Sequence, residues 1–260
     1  MKKNFLKLTL GFALLTGLNA QADDKTITIG ATPIPHVQIL EQVKPILKKE
    51  GYTLKIQEFT DYVTPNYAVE DGDLDANFFQ HVPYLDEFNK NKGTHLVKTV
   101  SVHLEPIGIY SSKIKSLKNL KDGATIAVPN DPTNENRALD LLEKEGLLKF
   151  AKVSLKTKVD ITKNPRNFKI EELDAPQLPR VLDDVAIAVI NTNYALSANL
   201  NPLKDALALE SKDSPYANVV VVKKGNENSD KIKALDKAIN SEAIRKFIVE
   251  KYKGAIIPAF

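Results

Sequence analysis

The residues best suited to chemistry fall in four short stretches. Phe79, Gln80, His81 and Tyr84 fall within six positions, two aromatics with an amide and an imidazole. Asn134 and Arg137 lie three residues apart at the start of a helical pattern. Asn191 follows the apolar run 185–190, and Asn218 precedes four consecutive valines. A helix start offers free N–H groups and the positive end of the dipole, and arginine adds a planar fork for a carboxylate. The chain has four arginines among 36 basic residues, so Arg137 stands out as placed for geometry. Read alone, each residue also has an ordinary explanation. Phe78 and Phe79 suit a core, an asparagine in a loop commonly bonds its own backbone, and Asn134 suits a plain helix N-cap with Arg137 in the first turn.

Catalytic arrangements are missing. The histidines His36, His81, His95 and His103 form no His-Glu-x-x-His helix, and no G-x-S-x-G elbow, phosphate loop or dinucleotide fingerprint occurs. There is no cysteine, hence no disulfide, thiolate nucleophile or cysteine metal site. The chain is expected not to be an enzyme and to need no metal or cofactor.

The elements that must position these residues alternate strand and helix. Thr26 to Ala31 reads as a strand, and Ile39, Leu40, Val43 and Leu47 fall at helical spacing before Gly51. Thr53–Phe59 is the next strand, followed by a polar loop holding Tyr62. The central stretch 73–85 reads as a strand and then a helix opened by Pro83, which puts Phe79, His81 and Tyr84 at the carboxyl end of a strand, where open α/β sheets bind ligands. Further strands are expected at 95–103, 125–129, 153–155, 168–173, 185–190 and 219–222. Helices are expected at 135–144, 177–183, 230–240 and 242–253. This alternation implies α/β lobes with largely parallel sheets covered by helices. The chain would leave the first lobe near Ile107–Tyr110 and return near 216–222, placing 23–109 with 220–260 in lobe 1 and 110–219 in lobe 2. A cleft between lobes is a natural ligand site.

Residues 1–22 read as a secretory signal: Lys2, Lys3 and Lys7, an apolar stretch from Leu8 to Leu18, and Ala20-Gln-Ala22 before Asp23. The leader carries the whole net charge of +3, so the remainder is formally neutral and makes no electrostatic case for nucleic acid.

Several motifs together resemble one family. They are Asp-Tyr-Val-x-Pro-Asn at 61–66, Asp-Ala-Asn-Phe-Phe-Gln-His-x-Pro-Tyr-Leu at 75–85, Val-Pro-Asn-Asp-Pro-Thr-Asn at 128–134 with Arg137, Ala-Pro-Gln-Leu-Pro-Arg at 175–180, and Ile-Asn-Thr-x-Tyr-Ala at 190–195. The sequence resembles the NlpA type of methionine-binding lipoproteins, the extracytoplasmic receptors of methionine ABC importers. The resemblance implies the two-lobed periplasmic binding protein fold, L-methionine as ligand, a membrane permease as partner and a monomeric receptor. It places Tyr62, Phe79, His81 and Tyr84 around the ligand side chain, and Asn134, Arg137, Asn191 and Asn218 on the amino-acid backbone, with Arg137 on the carboxylate. Competing expectations are another apolar amino acid, a methionine derivative or methionine-containing dipeptide, or a secreted surface antigen. The family's lipid-modified cysteine has no counterpart at Leu18-Asn-Ala-Gln-Ala-Asp23. A free periplasmic protein without a lipid anchor is therefore expected.

Overall fold

The computed structural model describes residues 25–260. The expected signal segment lies outside them. No described helix is long and apolar enough to cross a membrane.

The first sheet has six strands: β1 (Thr26–Ala31), β2 (Thr53–Glu58), β3 (Ala76–His81), β4 (Leu96–Leu104), and two from the far end of the chain. The second sheet has five: β5 (Gly108–Tyr110), β6 (Thr125–Pro129), β9 (Lys169–Leu173), β10 (Ile187–Ile190) and β11 (Ala208–Leu209). Between β6 and β9 a separate two-stranded ribbon pairs β7 (Lys149–Phe150) with β8 (Ile161–Lys163). The chain then returns to the first sheet as β12 (Ala217–Lys223) and β13 (Ile257–Pro258). The strand orders are β13-β4-β12-β3-β1-β2 and β11-β5-β10-β6-β9. In each sheet the three strands at one end are parallel, β3-β1-β2 and β10-β6-β9, and the other pairs are antiparallel. The chain changes sheets between Leu104 and Gly108, and again between Leu209 and Ala217.

Helices cover these sheets: α1 (Gln38–Lys49), α2 (Thr64–Asp71), α3 (Val82–Lys92), α4 (Pro132–Lys144), α5 (Thr192–Ser197), α6 (Pro202–Asp205), α7 (Asp230–Ile239) and α8 (Glu242–Tyr252). Ile39, Leu40, Val43 and Leu47 of α1 pack with Ile27 and Ile29 of β1 and with Leu235 and Ile239 of α7 in one core. Leu139 and Leu142 of α4 pack with Ile126, Ile187 and Val189 in a second. Each unit thus buries its own apolar face, as two-layer packing requires. Val220 and Val222 face the first core while Val219 and Val221 join a cluster on the other side. The valine run is a strand buried on both faces, which is why it does not alternate with polar residues.

Three expectations are corrected. Residues 153–155 form no strand: Val153 is exposed and its alternating pattern finds no neighbouring strand to pair with. The helix expected at 177–183 is a run of tight 3₁₀ turns at Ala175–Val181, because Pro179 lacks the N–H of an α-helix and its ring clashes with the preceding turn. Helix α4 is capped by Asp131, not Asn134: the Asp131 carboxylate accepts from the Asn134 amide at 2.9 Å, and Pro132 takes the first helical position. Asn134 is therefore in the first turn and Arg137 in the second.

Candidate functional site

Strand β3 sorts its side chains by face. Phe78 is fully buried in the first core, against His36 and His103, while Phe79 turns to the opposite side. The strand ends at His81, whose Nδ1 accepts from the Tyr84 amide and caps α3. That leaves the proton on Nε2, which donates to Asn134 Oδ1 at 3.1 Å, across from the first sheet to the second. The tautomer is thus set by the helix cap. Burial, and then the Arg137 charge, hold the His81 pKa down at about 3, so the ring is neutral.

Phe79 and His81 line a narrow cavity of about 20 Å³ between the two units, with Tyr62, Tyr84, Asn134, Arg137, Asn191 and Asn218. All eight residues singled out from the sequence meet there. Tyr62 and Phe79 are stacked with ring centres 5.8 Å apart, and Tyr84 stands edge-on to both at 6.0 and 6.1 Å. The Tyr84 hydroxyl donates to the Tyr62 carbonyl at 2.7 Å, fixing the two rings against each other. Burial raises the pKa of both phenols, so they remain donors. This is an aromatic box whose hydroxyls are already committed and whose ring faces are left for an apolar guest.

The other end of the cavity is polar. Asn134 is the hub: its Oδ1 accepts from His81 and from Asn191 Nδ2 at 2.9 Å, and its Nδ2 donates to Asp131. Asn218 Oδ1 accepts from His36 Nε2 at 3.1 Å. Neither Asn191 nor Asn218 has its side chain bonded to its own loop, so the ordinary reading of a loop asparagine does not hold for them. Arg137 is buried and its fork is engaged: Nε donates to Glu210 Oε1 at 2.8 Å and Nη2 to Glu210 Oε2, while Nη2 also reaches the Glu105 carbonyl. Its guanidinium lies over the Tyr216 ring at 4.5 Å. Only the Nη1 edge has no hydrogen bond among the described residues.

Four more residues line the cavity beyond those eight: Gln80, noted beside His81 in the sequence but given no ligand contact, and Glu105, Thr192 and Asn193. Gln80 is bound up with Asn66 and Asn77 in a buried amide network and serves the scaffold. Asn193 Oδ1 accepts from the Tyr62 hydroxyl at 2.6 Å, and the Tyr194 hydroxyl donates to the Thr60 carbonyl at 2.9 Å, so the first turn of α5 bridges the two units. Thr192 and Asn193 sit inside a motif already noted, and their position in it was the available signal. Glu105 had none: it follows an apolar strand and precedes Pro106 with nothing in the sequence to set it apart.

Behind the cavity, Glu105 Oε1 meets His103 Nε2 at 2.7 Å and His36 Nε2 at 3.3 Å, all three buried. Thr32 Oγ1 donates to His36 Nδ1 at 2.8 Å, which puts the His36 proton on Nε2, facing Glu105 and Asn218. Burial holds His36 at about 4 and His103 at about 3, both neutral. The same burial raises the Glu105 pKa, against the opposing pull of His36 and Arg137. The three groups are close enough together to hold a metal ion, and their spacings are those of hydrogen bonds to a shared carboxylate oxygen.

The family model for the NlpA lipoproteins matches residues 27–260. The chain belongs to the NlpA lipoprotein family. Methionine-binding lipoprotein MetQ of Bacillus subtilis is 44% identical, over 99% of this chain and 99% of its own length. Outer membrane lipoprotein 3 of Mannheimia haemolytica is 48% identical, over 94% of this chain and 93% of its own. The solved structure of a nutrient binding protein from Burkholderia cenocepacia bound to methionine is 48% identical, with a TM-score of 0.88 over 90% of this chain and 100% of that one. The fold is thus the two-lobed binding-protein fold of the NlpA family, and the family is one of transport receptors and not a class of enzymes. These relatives correct the expectation of a periplasmic protein with no lipid anchor. They are named lipoproteins, one of the outer membrane, which points to lipid-anchored extracytoplasmic proteins. The expectation rested on the residues around Ala22, which lie outside the described structure.

Proposed function

We propose that this NlpA-family chain is an extracytoplasmic receptor that captures methionine between its lobes and delivers it to the membrane permease of an ABC importer. The observation that carries the reading is the convergence of an aromatic box and a buried arginine with one free edge on one cavity. Tyr62, Phe79, His81 and Tyr84 surround the thioether, for which sulfur–ring contacts contribute about 0.3–1.5 kcal/mol. Asn134, Arg137, Asn191 and Asn218 hold the amino-acid backbone, with the Nη1 edge of Arg137 on the carboxylate. The lobe boundaries expected at 109/110 and 219/220 fall inside β5 and β12, so the hinge belongs a few residues earlier, where the chain changes sheets between Leu104 and Gly108 and between Leu209 and Ala217. Ligand favours the closed state by touching both lobes at once. No bond of the ligand is made or broken, no cofactor is used, and the receptor acts as a monomer without nucleic acid.

The test is calorimetry against L- and D-methionine, leucine and glycyl-methionine, with mass spectrometry of ligand released from freshly purified, denatured protein. Methionine is expected to bind in preference to leucine and to raise stability by about 2.7 kcal/mol at a hundredfold excess over Kd. A second reading, a longer methionine-containing ligand, is favoured by an apolar groove on the far side of Tyr84, lined by Val63, Phe88 and Pro132. Tighter binding of glycyl-methionine than of methionine would select it. Failure of every amino acid and dipeptide would sink both.

A further inference from the structure

We infer that the two-stranded ribbon of the second unit, β7 with β8, is a membrane-facing surface that lays lysines and two bare valines on a layer of anionic phospholipid headgroups. This goes beyond ligand capture and does not depend on which ligand the cavity takes.

The charge is the first observation. Between Lys149 and Lys169 the chain carries seven basic residues and one acid, Asp160, although the sequence beyond its leader is formally neutral. That acid is turned inward, its Oδ2 accepting from the amide and the hydroxyl of Thr157 at 2.9 and 2.8 Å. The basic residues then divide into two sets. Lys156 pairs with Asp140 and Glu143 of α4, and Lys158 with Glu172 of β9, which ties the loop of the ribbon down onto its unit. Lys149, Lys152 and Lys163 are exposed and form no ion pair among the described residues. Lys149 and Lys163 are moreover direct cross-strand partners. Like charges placed opposite one another destabilise a ribbon, and a surface that supplies negative charge removes that cost.

The apolar tip is the second observation. Val159 is 84% exposed, the most exposed large apolar side chain among the described residues, and Val153 is 44% exposed. The Ala151 amide donates to the Asp160 carbonyl at 2.8 Å and closes the loop, which sets Lys152 and the two valines at its tip. Phe150 is buried in the second core and Ile161 packs against it, so the ribbon is held by its unit. Lysines flanking short aliphatic side chains suit a headgroup layer: the ammoniums meet the phosphates while the methyl groups enter the acyl boundary. Single-stranded nucleic acid would need aromatic faces to stack on, and the one ring of the ribbon, Phe150, is buried. A chain of a lipoprotein family works beside a membrane, which brings such a layer within reach. The ribbon contacts β9, the edge strand of the second sheet farthest from β11, and none of its residues lines the cavity.

The test is cosedimentation with vesicles of phosphatidylcholine alone and of an equal mixture with phosphatidylglycerol, each at low and high salt. Wild type is expected to prefer the mixed vesicles, and high salt to remove the preference. A lipid anchor contributes to both kinds of vesicle alike and drops out of the difference. The triple variant Lys149→Gln/Lys152→Gln/Lys163→Gln is expected to lose on the order of 100-fold of that preference, each lysine near the surface being worth about fivefold. The triple Lys48→Gln/Lys55→Gln/Lys233→Gln makes the same change of charge on the first unit and is expected to keep it. Methionine binding by calorimetry is expected to be unchanged in both. The chain has no tryptophan, so Val159→Trp is a sole reporter, and its emission is expected to shift to the blue on mixed vesicles only. An equal loss in the two triples overturns the inference, because net charge alone then explains the binding. An unshifted tryptophan on vesicle-bound protein also overturns it and puts the contact elsewhere. So does failure to bind mixed vesicles, and lysine-dependent retention on immobilised polyglutamate would then assign the ribbon to an acidic protein.

Discussion

Replacing Arg137 by alanine separates what this residue does for the fold from what it does for the ligand. The side chain is 3% exposed and pairs through Nε and Nη2 with both oxygens of Glu210, whose side chain is 13% exposed. Removing one member of a buried pair leaves the other charge uncompensated, a cost of about 3–5 kcal/mol. The lost bond to the Glu105 carbonyl adds about 1 kcal/mol, and these contributions overlap because they share one guanidinium. A loss of about 4 kcal/mol corresponds to a fall in thermal midpoint of roughly 8–16 °C for a domain of this size. Glu210 lies on the return path to the first sheet and Glu105 on the outward path, so both crossing segments lose their anchor to α4 together. Arg137→Met with Glu210→Gln removes both charges and is expected to regain most of the stability without regaining methionine affinity. The assay is urea unfolding, read for midpoint and slope, alongside calorimetry on each variant. A fall of less than 2 °C in Arg137→Ala would show that the pair contributes nothing. Recovery of methionine affinity in the double variant would remove Arg137 from the binding site.

Three further outcomes are expected. His36, His81 and His103 are held at about 4, 3 and 3, below the 6.5 of an unfolded histidine. The unfolded chain therefore binds more protons on the acid side, and stability present above about pH 6.5 is lost as pH falls, by about 1.4 kcal/mol per pH unit for each histidine. Glu105 and Asp131, whose pKa values are raised by burial, work in the opposite sense, as do Glu135 at about 8 and Asp236 at about 6. The histidine share is read from the stability difference between wild type and His103→Gln in urea; a difference that does not change from pH 7 to pH 5 would refute it. Phe79→Ala is expected to narrow the preference for methionine over leucine and to spare the carboxylate contacts. An unchanged ranking by calorimetry would make Phe79 a core residue only. Gly30→Ala places a Cβ 2.8 Å from both Leu74 Cδ1 and Phe59 Cε2, an overpacking that costs about 1–3 kcal/mol and lowers the thermal midpoint without altering ligand ranking.

Taken by itself, the sequence determines the local structure where a single period or a single cap decides it. The helical spacing of Ile39, Leu40, Val43 and Leu47 gives α1, the valines at 219–222 give β12, and Pro83 opens α3. Its motifs also point to Tyr62, Phe79, His81, Tyr84, Asn134, Arg137, Asn191 and Asn218, but as a set only through the resemblance to the NlpA type, since each taken alone has an ordinary structural explanation. Where two local signals compete, the sequence misleads: Asn134 has the right type for a cap, but Asp131 before Pro132 takes the place. What only the tertiary structure decides is pairing across distance. Glu105 looks ordinary until His36 and His103 close on one of its oxygens, and Arg137 looks free until Glu210, 73 residues away, fills its fork. Such contacts carry no sequence period, since they depend on how two separately cored units are brought face to face. Burial then sets which charges persist, and burial is a property of the folded chain and not of any segment of it.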